Sequence, residues 1–396
     1  MALYPPAAVE RMMKVQEVIL RAMSGELTWI QAARILRVSD RTMRRWKARY
    51  EKHGYDGLYD RRRRRPSPKR VPMQEMQRIL RLYRERYLGF NVRHFHQIIQ
   101  REHSVTLSYT FIKGALQEAG LVRKKRSRGR HRCRRERKGC FGEMLHIDGS
   151  PDRWLALSPE KKHVMISVVD DATSRVLYAQ LWSEESTQAI FGALKAVFEQ
   201  YGLPMSLYSD RASWAFLTPK AGGKVDKRNL TQVGRALERL GVEHIPSYSP
   251  QARGRSERLN RTLQDRVVNE LRAAGIGDLD AANRYVRERY IPVHNELFSV
   301  PAREPESVFV GSAGVDLDQV LCEEHKRVVG QDNMVRYKNR ALQIAKQPNR
   351  STCAGRHVVV REHVDGTMSI WLGLKCLGIY DSQGRALKIK QSRVAA

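Results

Sequence analysis

The 396-residue sequence predicts a multidomain α plus α/β chain: helical modules in front, a mixed-sheet core, and a small β module behind. Three observations predict it. Short, capped amphipathic helices fill the first third, two arginine-rich runs divide that third, and from about residue 140 short apolar runs alternate with helical periods. The formal net charge of +30 calls for a polyanionic partner. No stretch approaches the ~18 consecutive apolar residues of a membrane span, and no uninterrupted apolar h-region opens the chain. Five scattered cysteines are too few for a disulfide framework, which points to a reducing cytoplasm. Nucleic acid is therefore the expected partner, and no membrane partner is expected.

Residues 1–58 read as three helices. Met12, Val15 and Ile19 mark the first apolar face, and Gly25 ends it. Thr28 with Gln31 fits a capping box for the second helix. Arg37-Val38 makes a short turn and Ser39 caps a third helix that buries Met43, Trp46 and Tyr50. Its other side carries Arg41, Arg44 and Arg45, the charge a recognition helix needs in the major groove. A helix-turn-helix that binds DNA is favoured over a plain three-helix packing unit.

Residues 59–71 hold seven positive charges between Arg61 and Arg70. Arg61, Arg62, Arg63, Arg64 and Arg65 cannot build a core, so this is a linker expected to track phosphates. Residues 72–122 read as a second helix-turn-helix-like trio. One helix carries Met76, Leu80, Tyr83 and Tyr87, Asn91 starts another, and Ser108 caps a third with only Lys113 and Gln117 facing out. Base reading and simple packing are evenly balanced there. His94, His96 and His103 lack the paired cysteines a zinc site would need. Residues 123–139 form a second basic linker, with eleven Lys or Arg between Arg123 and Lys138; Arg126, Arg128 and Arg130 are candidate DNA contacts.

The core is expected over residues 140–312. Met144 to Asp148 reads as a strand ending on Asp148, with Met144, His146 and Asp148 on one side. Val164–Val169 and Val176–Tyr178 follow as strands. Asp170 and Asp171 suit the turn between them for backbone reasons, a reading favoured over extra ligands. A helix from Ser186 to Tyr201 leads to a fourth strand ending on Asp210, a helix from Thr231 to Leu240, and a strand at Val242–Ile245. The stretch Trp214–Asn229 is a loop insertion, either a substrate-contacting lid or decoration. Beyond the loop Ser249–Gly254 a helix begins at Arg255. Leu259, Leu263 and Val267 line one face of it, and Glu257, Asn260, Arg261 and Gln264 another. A lone first-turn Glu is usually a solvated, dipole-stabilised carboxylate. Two earlier aspartates at strand ends lift Glu257 above that, since three carboxylates on rigid elements suit one or two Mg²⁺ ions. A helix over residues 278–290 closes the core.

The runs His146-Ile147-Asp148-Gly149-Ser150-Pro151, Tyr208-Ser209-Asp210-Arg211 and Ser249-Pro250-Gln251-Ala252-Arg253-Gly254-Arg255-Ser256-Glu257-Arg258 resemble those of bacterial insertion-sequence DDE transposases of the ISNCY group. These have a retroviral-integrase-like, ribonuclease-H-like catalytic core, and the resemblance runs from the first helical module to the end of the core. It implies that Asp148, Asp210 and Glu257 are catalytic and hold two Mg²⁺ ions, with Mn²⁺ as a substitute. It implies nicking of transposon ends, then attack of the freed 3′-hydroxyls on target DNA. The implied partners are double-stranded DNA at the ends and target, with a homo-oligomer, dimer or larger, on paired ends in the bacterial nucleoid. Arg253 and Arg255, beside Glu257, are candidate DNA contacts. The last two acids stand 46 residues apart (257 − 210 − 1), longer than the integrase signature, and Gln264 occupies a position often Lys or Arg. The rival readings are a domesticated, catalytically silent DNA-binding regulator and a ribonuclease-H-like nuclease that cuts without joining.

Residues 328–396 change character. Val358–Val364, Asp365-Gly366 and Met368–Leu372 give a hairpin signal. With Met334–Ile344 and Cys376–Tyr380 they suggest a small β-barrel in which Trp371 is core.

Overall fold

The computed structural model describes residues 6–59, 71–124, 136–219, 223–226, 228–248, 254–348 and 350–387. Arg61 through Arg65, Arg126, Arg128, Arg130 and Arg253 lie outside the described residues. The chain divides into two compact units between Ile79 and Leu80.

In the first unit, α1 (Pro6–Met23), α2 (Trp29–Ile35) and α3 (Asp40–His53) form because local signals start and stop each helix. The Thr28 hydroxyl accepts the Gln31 amide at 3.3 Å, and the Gln31 side chain accepts the Thr28 amide at 2.8 Å, a complete capping box. Arg37 turns the chain at φ 53°, and Ser39 caps α3 through the Thr42 amide. Val15, Val18, Ile19, Ala32, Ala33, Met43 and Leu58 make the core.

α4 (Met73–Glu85) is followed by α5 (Val92–His103), capped by Asn91, and α6 (Tyr109–Glu118), capped by Ser108. α5 is fastened onto the mixed-sheet core. His94 Nε2 meets Glu270 at 2.7 Å with both side chains buried, the Asn91 amide donates to Asp265, and the Arg272 guanidinium donates to the Leu88 carbonyl. His96 bonds the Leu107 carbonyl and His103 the Tyr87 hydroxyl. These are fold-holding roles for all three histidines.

The core sheet joins β1 (Leu145–Asp152), β2 (His163–Asp170), β3 (Val176–Trp182), β4 (Ser206–Ser209) and β5 (Glu243–Pro246), separated by α7 (Thr187–Tyr201) and α8 (Gln232–Arg239). Its order is β3-β2-β1-β4-β5. The β1–β2 and β2–β3 pairs are antiparallel, and β1–β4 and β4–β5 are parallel. That is the ribonuclease-H-like arrangement. Period-two alternation sends Leu145, Ile147, Ile166 and Val168 to one face, covered by α7 and α8. The other face meets α9 (Gly254–Ala273), whose Leu259, Leu263, Val267 and Leu271 recur every fourth residue and are buried. Each contributes roughly 1.5–3 kcal/mol of burial.

α10 (Leu279–Tyr285), a π-turn over Val286–Tyr290 and α11 (Ile291–Phe298) form one helical stretch, eight residues longer than the sequence suggested. The length has a use. β3 is a sheet edge, and its outward backbone groups need partners. The Asn283 side chain donates to the Leu181 carbonyl and accepts its amide, and Asn295 does the same for Val176. Twelve helical residues rise about 18 Å, matching about 17 Å for five strand residues.

His294 on α11 is buried against Tyr290, and burial, helped by the Arg266 charge, pushes its pKa down to about 4. The unfolded chain, titrating near 6.5, therefore takes this proton first. Stability is complete above about pH 6.5 and falls by about 3 kcal/mol as pH drops toward 4. Urea unfolding of wild type and His294→Gln at pH 7 and 4.5 checks this: the variant should lose less on acidification, and equal losses would exclude His294 as the cause.

After α12 (Leu317–Val320), the C-terminal module holds β6 (Glu323–Val328), β7 (Met334–Tyr337), β8 (Arg340–Gln343), β9 (His357–Glu362), β10 (Met368–Leu372), β11 (Lys375–Tyr380) and β12 (Ala386–Leu387). The β9–β10 hairpin forms as the Asp365-Gly366 signal indicates. Five strands pair as β12-β11-β10-β9-β6, and β7–β8 is a separate ribbon over the same core. Among the described residues no pairing closes β12 onto β6, so the small β-barrel expected is seen there as a five-stranded sheet with a ribbon. Trp371 is half-buried, with Arg361 over its ring at 4.6 Å.

Candidate active site

Asp148 does not end its strand, as the sequence suggested. β1 runs on to Asp152 because β2 pairs with it along its whole length, whereas β4 pairs only with Leu145 and His146. Asp148 therefore sits just beyond the point where β4 stops. The register His146↔Tyr208 leads Asp148 and Asp210, each two residues further, out of the same end of the two central strands. The His146 and Tyr208 rings meet at 5.1 Å on that face, and period-two alternation carries both aspartates to it.

α9 crosses this face in step with β1. Asn260 donates its side-chain amide to Asp148 Oδ2 at 3.0 Å, and Gln264 donates to Ser150 Oγ at 3.0 Å. The match follows from two rises: four helical residues advance about 6 Å, and two strand residues about 6.6 Å. Asn260 also accepts the Ser167 hydroxyl at 3.4 Å, and Ser167 is the register partner of Asp148. Glu257 lies one turn before Asn260 on the same side of the helix and is exposed. Asp148 is 5% exposed, so its carboxylate rests in a shielded position held by one amide of α9.

Asp210 follows β4 and caps a turn, accepting the Ala212 amide at 3.0 Å. Behind it, Ser209 Oγ meets His244 Nε2 at 2.9 Å, and the His244 ring stacks on Phe216 at 4.1 Å. Burial pushes the pKa of His244 down to about 4, which keeps the ring neutral. On the opposite face, Gly149 lets Glu185 approach: a Cβ there would stand 2.7 Å from that carboxylate. Glu185 accepts the Trp214 indole N–H at 2.6 Å. The start of the 214–229 stretch is thereby pinned, with Trp214 and Ala215 buried in the core.

Asp170 and Asp171 are fully buried, deeper than a simple turn requires. Asp170 accepts the Gly142 and Thr173 amides, and its burial raises its pKa. Asp171 accepts His146 Nε2 at 2.8 Å, Arg255 Nε at 2.5 Å and the Lys138 amide at 2.8 Å. Burial opposes its ionisation, but the His146 hydrogen bond, the Lys138 amide and the Arg255 charge hold its carboxyl well below the usual range. Arg255, expected to face DNA, instead turns inward, because a buried carboxylate needs a cation more than a surface phosphate does. Asn260, Asp171, Glu185 and Trp214 were not identified as site residues from sequence. Asn260 carried a signal in its place on the Glu257 face, and Asp171 was weighed as an extra ligand and set aside for its turn position.

Three carboxylates supply the hard oxygen donors that Mg²⁺ or Mn²⁺ takes. Among the described residues no three His, Cys, Asp or Glu side chains are gathered to hold a metal ion. The acids fit a metal by donor chemistry and by sitting on neighbouring elements, and not as a preassembled cage. Arg41, Arg44 and Arg45 are exposed together on α3.

Family models match residues 16–67, as a helix-turn-helix domain, and 42–116, as a homeodomain-like domain. The chain is 29% identical over 370 residues to "Putative transposase y4bF" of Sinorhizobium fredii (strain NBRC 101917 / NGR234), covering 93% of this chain and 80% of that protein. It is 27% identical over 362 residues to "Transposase for insertion sequence IS1202" of Streptococcus pneumoniae, covering 82% of this chain and 76% of that protein. Over most of its length the chain is thus similar to two proteins named as transposases. Among solved structures, it is similar to a chain of the simian T-cell lymphotropic virus intasome at TM-score 0.33 and 12% identity, covering 72% of this chain and 93% of that one. It is also similar to the HTLV-2 integrase catalytic core domain in complex with magnesium, at TM-score 0.29 and 15% identity, covering 38% and 87% of the two chains. Among the described residues, no helix is long and apolar enough to cross a membrane.

Proposed function

We propose that this chain is a DNA transposase that grips transposon ends through its helical modules, nicks them, and joins the freed 3′-hydroxyls to target DNA. The observation that carries the reading is the register of the two central strands, which leads Asp148 and Asp210 out together under the helix bearing Glu257. Asp148, Asp210 and Glu257 would together hold the Mg²⁺ ions. Such ions lower the pKa of the attacking water or 3′-hydroxyl and stabilise the leaving oxygen. The residues' own tasks are to bind and to orient: Asn260 fixes the Asp148 carboxylate, and His244, through Ser209, backs the turn at Asp210. No covalent enzyme intermediate is required.

The test is incubation of the protein with labelled terminal-repeat duplexes and Mg²⁺ or Mn²⁺. Nicked and joined products together support the reading. Nicks without joining indicate a nuclease, and binding without either indicates a silent regulator. Two ends must be joined to one target, so a dimer or larger complex on paired ends is expected; sedimentation with and without end DNA would detect it.

The arginines of α3 make a separate expectation. Arg44→Ala should cost about 1–3 kcal/mol at the cognate end and little on random duplex, as a lost base contact does. Equal loss on both DNAs would demote α3 to a backbone binder.

A further inference from the structure

We propose that Asp171 is a positioning residue that sets the first turn of α9, and with it Glu257, against the strand ends carrying Asp148 and Asp210. This rests on the metal-dependent reading of those acids. Asp171 is outside the triad, yet its carboxylate is buried and engaged by three groups beside it. Its side chain is fully buried. One oxygen serves His146 and Arg255 together, and the other takes the Lys138 amide. Its own amide donates to the Met144 carbonyl at 2.9 Å, which ties the β2–β3 turn to the chain entering β1.

The partners define the role. His146 lies two residues before Asp148 on the same face of β1 and rests on Tyr208, two residues before Asp210. Arg255 lies two residues before Glu257. A helix turns about 100° per residue, so Arg255 and Glu257 project to nearly opposite sides of α9. Arg255 reaches inward to Asp171 and leaves Glu257 on the side of Asn260 and Gln264, which contact β1. The Arg255 guanidinium also donates to the Glu136 carbonyl at 3.3 Å, while Arg137 donates to the Ala172 carbonyl and the Ser174 hydroxyl. The end of the second basic run and the start of the acid-bearing helix thus meet at one buried charge. The Arg255–Asp171 pair anchors the first turn of α9.

The experiment uses the full chain and three variants: Asp171→Asn, Arg255→Gln and Arg255→Lys. Mn²⁺ binding to the DNA-free protein is measured by calorimetry, and kcat and KM for nicking of labelled end duplex are measured separately. Partners that orient metal ligands typically control about 10–100-fold in affinity or activity. Asp171→Asn and Arg255→Gln should weaken Mn²⁺ binding and lower kcat by about that factor, with KM for DNA within about twofold. Arg255→Lys, which keeps the charge, should recover part of both losses. Arg255→Gln leaves Asp171 its His146 and Lys138 partners, so it decides the matter even if Asp171→Asn does not fold. Wild-type Mn²⁺ affinity and kcat in folded Arg255→Gln would overturn the proposal, as would a loss appearing only in KM. A wild-type chain that neither binds Mn²⁺ nor nicks end DNA would instead overturn the metal-site reading, and this inference with it.

Discussion

Asp148→Asn, Asp210→Asn and Glu257→Gln should each lower nicking and joining by about 10³-fold or more, while end binding stays within a few-fold. Each substitution keeps the shape of the side chain and removes the charge that a divalent cation requires. Metal ions supply several kcal/mol of stabilisation to phosphoryl transfer, and each 1.36 kcal/mol is about tenfold in rate. On the proposed reading, affinity for ends comes from α3 and the basic runs, so binding and chemistry should separate cleanly. Gel-shift titration and a strand-transfer assay on the same preparations would read both. Any one variant with near-wild-type transfer removes that residue from the triad. Asn260→Ala should give a smaller loss than any of the three, since Asn260 orients Asp148 and holds no metal itself.

Salt should have the second-largest effect. Each duplex phosphate neutralised contributes about 0.9 to the slope of log K against log[salt]. Replacing Arg61 through Arg65 by Gln should therefore flatten the slope by about 4.5 units if all five contact phosphates. Over a fourfold change in salt, that is a difference of several hundred-fold in affinity. Replacing Arg126, Arg128 and Arg130 should flatten it by nearly 3 more. An unchanged slope would make both runs spacers without DNA contact. Arg255→Gln should leave this slope alone, because its guanidinium is committed to Asp171. That contrast separates the two kinds of arginine that the sequence cannot tell apart.

Helix starts were legible because caps are local. Thr28 with Gln31, Ser39, Asn91, Ser108, Ser186 and Thr231 each satisfy amides within three residues, and each caps where the sequence indicated. The buried stripe of α9 was legible for a similar reason, since a repeat every fourth residue specifies its own face. β1 lies between β2 and β4, the order of the ribonuclease-H-like core that the resemblance implied. The end of β1 was not legible. Nothing near Gly149 or Pro151 in sequence says that β2 will pair as far as Asp152.

By itself, then, the sequence determined the helical modules, the mixed-sheet core, the basic character and the three candidate acids. These rest on periodicity, on caps and on charge, all of which act over a few residues or over the whole chain. Only the tertiary structure decided what each charged side chain is for. Arg255 looked like a neighbour of DNA and became the partner of Asp171, 84 residues away; His94, which the sequence left without a role once zinc was set aside, became the partner of Glu270, 176 residues away. The reason is the cost of burying charge. A carboxylate removed from water must find a cation or several N–H groups, and which of them reaches it depends on how distant elements pack.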